Sequence, residues 1–131
     1  MSEASRVEKP NPRRRLGQLG EALAADHLEA LGYRVRARNF RCPLGEIDLV
    51  ADEGDELVFI EVKARTSLRF GLPREAVSRA KQRKLGRAAL WYCDGERLGD
   101  RSYRFDVVEV LFLRGEVAAI ELLRNAFVPP E

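Results

Sequence analysis

Between Glu46 and Ala64 the chain reads EIDLVAD-EGDE-LVFIEVKA. Both flanks, Glu46–Asp52 and Leu57–Ala64, are rich in strand-forming residues. Gly54-Asp55 between them suits a two-residue hairpin turn with glycine first. With that turn, opposed residues have numbers that sum to 109. Ile47 then faces Val62, Leu49 faces Ile60 and Ala51 faces Val58, a wholly apolar face that must be core. The other face pairs Val50 with Phe59, Asp48 with Glu61 and Glu46 with Lys63.

The second face carries the chemistry. Carboxylates directly opposed across a strand pair stand with their Cβ atoms about 4.5–5.5 Å apart and repel, and burial makes the repulsion worse. A cation between Asp48 and Glu61 removes that penalty, and oxygen ligands suit Mg²⁺, Mn²⁺ or Ca²⁺. Lys63, two residues beyond Glu61, lies on the same side. An ammonium beside a metal can orient or deprotonate an attacking water, or neutralise a phosphate. The plainer reading is a cross-strand ion pair between Glu46 and Lys63, with Glu61 reaching a surface arginine.

On the N-terminal side, residues 17–31 read as an amphipathic helix whose stripe is Leu16, Leu19, Leu23, His27, Ala30 and Leu31. Gly32 closes it. Gly17 and Gly20 suggest close approach to a sheet, Glu21 sits at the stripe's edge beside Leu28, and His27 reads as a core residue. Residues 33–38 alternate as a strand and residues 39–45 form a loop. Residues 1–15, with two prolines and Arg13-Arg14-Arg15, read as a flexible basic tail ahead of a single domain, 16–131.

On the C-terminal side, a second helix is expected over 73–93, with Pro73 at its start and Val77, Ala80, Ala88, Trp91 and Tyr92 on its apolar face. Lys81 and Lys84 fall in the same arc, either snorkelling along apolar surface or meeting a phosphate. Gln82 reads as surface, and Phe70 as a loop anchor. Strands follow at 103–113 and 116–123, joined at Arg114-Gly115. Asp106, mid-strand, reads as a buried structural acid. The order helix, strand, hairpin, helix, strand, strand implies an α/β fold with a mixed sheet covered on both faces.

The 131 residues suffice for one domain with a real core. Net charge is only +2 but uneven: residues 65–87 carry eight basic groups against Glu75 alone, while residues 45–61 carry seven acids and no base. That is the pattern expected if one lobe binds phosphates and the other binds cations. No apolar run is long enough to span a membrane and no secretory signal opens the chain, so a cytoplasmic protein with Cys42 and Cys93 as free thiols is expected.

Taken together, Gly20-Glu21, Asn39-Phe40-Arg41, Gly45–Val50 (GEIDLV), Phe59–Arg65 (FIEVKAR) and Arg104–Val108 (RFDVV) resemble the bacterial YraN family, itself regarded as similar to archaeal Holliday-junction resolvases. The resemblance runs from about Gly17 to the C-terminus. It implies a restriction-endonuclease-like α/β/α core and a Mg²⁺- or Mn²⁺-dependent endonuclease acting on DNA, branched or nicked DNA included. Asp48 and Glu61 would be metal ligands, Lys63 the catalytic lysine, and Glu21 the residue completing the acidic site, directly or through water. Glu46 matches the motif, and a supporting partner of Lys63 is its expected role. Arg65, Lys81, Lys84 and Arg87 are the candidate nucleic-acid contacts. A homodimer is implied by analogy with resolvases. The rival readings are a nucleic-acid-binding module that keeps the fold without turnover, and a protein-interaction scaffold.

Overall fold

A computed structural model describes residues 11–67 and 77–131. The first ten residues of the expected tail, Phe70 and the expected helix start at Pro73 lie outside the described residues. In chain order the elements are α1 (Pro12–Ala30), β1 (Arg34–Cys42), β2 (Gly45–Glu53), β3 (Glu56–Arg65), α2 (Arg79–Gly95), β4 (Tyr103–Leu113) and β5 (Glu116–Phe127). The five strands form one sheet in sequence order, antiparallel except for the parallel β3–β4 pair that α2 connects. A parallel pair needs a long crossover, and here the crossover contains a helix.

The sheet is covered on both faces, as expected. One layer joins Leu57, Phe59 and Phe105 to Leu85, Ala88, Ala89 and Tyr92 of α2. The other joins Val58, Ile60 and Val108 to Ala24, Ala25 and Leu28 of α1. The alternation of β3 between the layers is the period of two that its sequence shows.

The central hairpin has the expected register from Leu49↔Ile60 to Glu53↔Glu56, with Gly54 in the left-handed region. Beyond Leu49 the pattern changes. Ile47 does not share a face with Leu49 and Ala51; it packs with Val50 in the α2 layer. The neighbouring strand shows why. β1 does not end at 38 in a loop but runs on to Cys42, pairing Arg38 with Leu49 and Phe40 with Ile47. Between these pairs Asn39 adopts φ +52°, a backbone state that Asn tolerates better than most residues. The irregularity turns the strand at Asp48 and flips Ile47 to the other layer.

α1 begins at Pro12 rather than Gly17, capped by Asn11, whose side chain accepts the Arg14 N–H at 2.8 Å. Its buried line is Gly20, Ala24, Ala25 and Leu28, rotated from the expected leucine stripe. Leu19 and Leu31 are each 47% exposed, and His27 is half-buried rather than core. Small residues win this face because the helix lies close on the sheet: a Cβ added to Gly20 would meet Ala64 Cβ at 3.4 Å. Gly17 faces open space. α2 is capped by Ser78 Oγ on the Lys81 N–H. Leu85, Ala89 and Cys93 join Ala88 and Tyr92 in its buried face, while Ala80 and Trp91 are exposed.

β4 and β5 meet in a tight turn with both Arg114 and Gly115 at positive φ. β5 runs four residues past the expected end, to Phe127. Asp106 is fully buried and structural: it accepts hydrogen bonds from Tyr33 Oη (2.7 Å), Arg104 Nε (2.9 Å) and the Asn125 N–H (2.9 Å). Cys42 and Cys93 are free thiols.

Candidate active site

The change of face at Asp48 creates the site. Past the last ladder pair, the Asp48 side chain takes over where the backbone leaves off: its Oδ2 accepts the Val62 N–H at 2.8 Å. The carboxyl is thereby held beside Glu61 on β3. Glu61 lies in the line of Phe59, toward α2, and is 4% exposed. Its Oε2 lies 3.5 Å from Lys63 Nζ and 3.7 Å from Lys81 Nζ, so one lysine comes from β3 and the other from the first turn of α2. With both carboxyls ionised, Glu61 Oε1 is buried without a hydrogen-bond partner among the described residues. A bare buried carboxylate oxygen is costly and uncommon.

The Asp48 carboxyl feels this strain. Burial, and after it the Glu61 charge, push its pKa up to about 8, against the Val62 N–H that favours the anion. Glu21, reaching in from α1, is raised as well, by burial first and then by the charges of Glu46 and Glu61, while Asn39 and Arg41 pull the other way. Two carboxyls within reach of each other and one unsatisfied oxygen call for a shared proton or a cation. A hard divalent ion fits that donor set.

The expected set is not fully assembled. Among the described residues no group of three or more His, Cys, Asp or Glu side chains is placed to hold one ion. Asp48 and Glu61 form the pair, and Glu21 contributes its field from α1 without joining them. Its place one helical turn before Ala24, at the head of the buried line, explains why it points at this end of the sheet. Glu46 is not the partner of Lys63: it pairs with Arg41 at 3.6 Å, because the altered strand path removes it from the expected cross-strand position.

Of the basic candidates, Lys81 is in the site. Arg65 is largely buried and paired with Glu109 at 2.6 Å, so it is not presented to a nucleic acid in this arrangement. Lys84 and Arg87 are exposed on α2. The backbone at Lys84 lies over Gly45, whose Cβ would stand 3.6 Å from the Lys84 carbonyl oxygen. Gln82 is half-buried, its side chain donating to the Val77 carbonyl at 3.1 Å. Two residues of the quoted Asn39-Phe40-Arg41 motif had no role assigned from sequence: Asn39, which hydrogen-bonds Glu21, and Arg41, which pairs with Glu46. An Asn flanked by strand-formers signals a left-handed residue within a strand.

Residues 20–110, a span that includes Glu21, Asp48, Glu61, Lys63 and Lys81, match the model of a family described as uncharacterised protein family UPF0102. The chain belongs to that family. It is 53% identical over 116 residues to a UPF0102 protein of Moorella thermoacetica, covering 88% of this chain and 97% of the relative. A UPF0102 protein of Caldicellulosiruptor saccharolyticus is 47% identical over 116 residues, 88% of this chain and 98% of its own length. One from Renibacterium salmoninarum is 50% identical over 110 residues, 84% and 93% of the two chains. The family match runs from α1 through β1, β2, β3 and α2 into β4.

Proposed function

We propose that the protein is a divalent-metal-dependent endonuclease that hydrolyses DNA phosphodiester bonds, with branched or nicked DNA as the favoured substrate. The observation that carries this reading is the Asp48–Glu61 pair, with Glu61 Oε1 lacking a hydrogen-bond partner among the described residues when both carboxyls are ionised, and two lysines within 4 Å of the other oxygen. The resemblance of the sequence motifs to the YraN family, itself regarded as similar to resolvases, points the same way. Asp48 and Glu61 would hold Mg²⁺ or Mn²⁺, with Glu21 taking part through water. Such an ion would supply a Lewis acid for the phosphoryl oxygen and lower the pKa of the attacking water.

The chain's own residues do the rest. Asp48, fixed by the Val62 N–H, and Glu61, fixed by the sheet, present two oxygens in a set geometry. Lys63 and Lys81 neutralise Glu61 before substrate arrives, and each can pass its ammonium to a phosphate oxygen when one enters. Exposed Lys84 and Arg87 extend the positive surface along α2. A homodimer would bring two such sites to two strands.

A second reading has its own support. Lys63 and Lys81 already offset the Glu61 charge, which is what a nucleic-acid-binding module without turnover would keep. Cleavage of a labelled nicked duplex, flap and four-way junction in Mg²⁺ or Mn²⁺ separates the two. The nuclease reading expects cleavage by the wild type and none by folded Glu61→Gln. Equal behaviour of the two proteins overturns it.

A further inference from the structure

A cavity of about 540 Å³ opens beside α2, between that helix, the start of β4 and the end of β5 with the residues that follow it. It is distinct from the acidic site, whose side chains line none of it. Tyr103 and Phe127 give it aromatic walls, and Leu90, 58% exposed, stands at its mouth. Gly86 allows the tail to close one end: a Cβ there would meet Pro129 Cβ at 2.9 Å.

Its lining is net basic. Arg83, Arg87 and Arg104 line it against a single acidic residue, Glu131. Arg104 is committed to Glu53, Glu56 and Asp106. Arg83 and Arg87 are exposed, and neither has an ion-pair partner among the described residues. Both sit on the helix whose first turn places Lys81 on Glu61. At ~1.5 Å of rise per residue, Arg87 is about 9 Å along the axis from Lys81, a reach of a few nucleotides at ~3.4 Å stacked spacing.

We propose that this cavity is a subsite for an unpaired nucleotide, the base entering between Tyr103, Phe127 and Leu90 while flanking phosphates rest on Arg83 and Arg87. This inference rests on the nuclease reading and narrows its substrate class to nucleic acid with a single-stranded segment near the cleaved bond. An aromatic-walled cavity rimmed by two guanidiniums that have no ion-pair partner among the described residues suits a base face and a backbone together. Bases inside a duplex stay stacked on their neighbours and cannot enter, so a blunt duplex would reach only the arginines.

The test is fluorescence anisotropy with the full chain in EDTA, using a labelled 12-nucleotide single-stranded DNA and a blunt duplex of the same sequence. The wild type should prefer the single strand. Leu90→Gln, an exposed and uncharged substitution, should weaken single-strand binding about fivefold and duplex binding far less, the low end of the scale for one lost base contact. Arg83→Ala/Arg87→Ala should weaken both probes and flatten their salt dependence. Unchanged single-strand affinity in Leu90→Gln, with its thermal transition intact, overturns the proposal; so does failure of the wild type to bind the single strand, which leaves the cavity to a protein partner. Metal-dependent cleavage that persists in either case refutes the subsite alone. Cavity-dependent binding without any cleavage refutes the nuclease reading alone.

Discussion

Asp48→Asn should make the metal-free protein more stable, and the size of the gain should depend on pH. The Asp48 carboxyl has an ordinary pKa of 3.8 that burial and Glu61 push up to about 8. The folded protein therefore holds this proton more tightly than the unfolded chain. Its contribution is fully present below about 3.8 and is lost as pH rises through about 8. At about pH 7.5 the ionised unfolded carboxyl is favoured by up to ~5 kcal/mol, at ~1.4 kcal/mol for each pH unit. Asp48 retains some contact with water, so about half of that ceiling, ~2–3 kcal/mol, is expected. For a domain of this size that is a Tm gain of about 10 °C. Asparagine keeps an oxygen for the Val62 N–H and, like the protonated acid, faces Glu61 without a charge, so the variant should keep the fold while its unfolded chain gains nothing by ionising. Thermal unfolding followed by circular dichroism in EDTA, at about pH 5 and pH 7.5, gives the answer. The variant should lead by only about 3 °C at the lower pH. A folded Asp48→Asn that is no more stable than wild type at pH 7.5 would refute the picture of two carboxyls held together at a cost. Addition of Mn²⁺ at pH 7.5 should raise the wild-type Tm and leave that of Asp48→Asn nearly unchanged.

Three further outcomes follow from the fold. Asp106→Ala leaves Tyr33 Oη, Arg104 and the Asn125 N–H without their buried acceptor, so urea unfolding should show a loss of about 3–5 kcal/mol. Leu85→Ala should cost about 2–5 kcal/mol and Trp91→Ala less than about 1 kcal/mol, since Leu85 is buried and Trp91 is 48% exposed; the reverse ranking would mean that α2 is rotated. Glu53 and Glu56 are held below the ordinary carboxylate range, each chiefly by Arg104, with Arg124 adding to Glu53 and Ser102 to Glu56, against the opposing effect of burial. Their contribution is present above about pH 4.5 and is lost as pH falls through their lowered values. Acid titration of the Arg104→Met variant should therefore show a shallower loss of stability than the wild type.

Much of this was legible in the sequence because the central hairpin follows local rules. The Gly54-Asp55 turn fixes the pairing from Leu49↔Ile60 onward, and the alternation of Leu57–Ile60 assigns both layers. The same rules put Asp48, Glu61 and Lys63 near one another on the strength of residue order alone. What escaped was set by tertiary contact. The face of α1 is chosen by how closely it lies on Ala64, so glycine and alanine displace the leucines that periodicity favours. The turn of β2 at Asp48 depends on a left-handed Asn39 in the next strand, and no pattern within β2 reports it. That same irregularity detached Glu46 from Lys63 and gave it to Arg41. The salt bridge from Lys81 to Glu61 needs the start of α2 at Ser78, which cannot be read from Pro73.

The most direct test of the central claim is cleavage of a labelled panel of single-stranded, duplex, nicked, flap and four-way-junction DNA in Mg²⁺ or Mn²⁺ by wild type, Glu61→Gln and Lys63→Ala. The expected result is metal-dependent cleavage of a subset of the panel by the wild type, abolished in both variants while their thermal transitions remain. Absence of cleavage on every substrate, or cleavage that survives both substitutions, would contradict it.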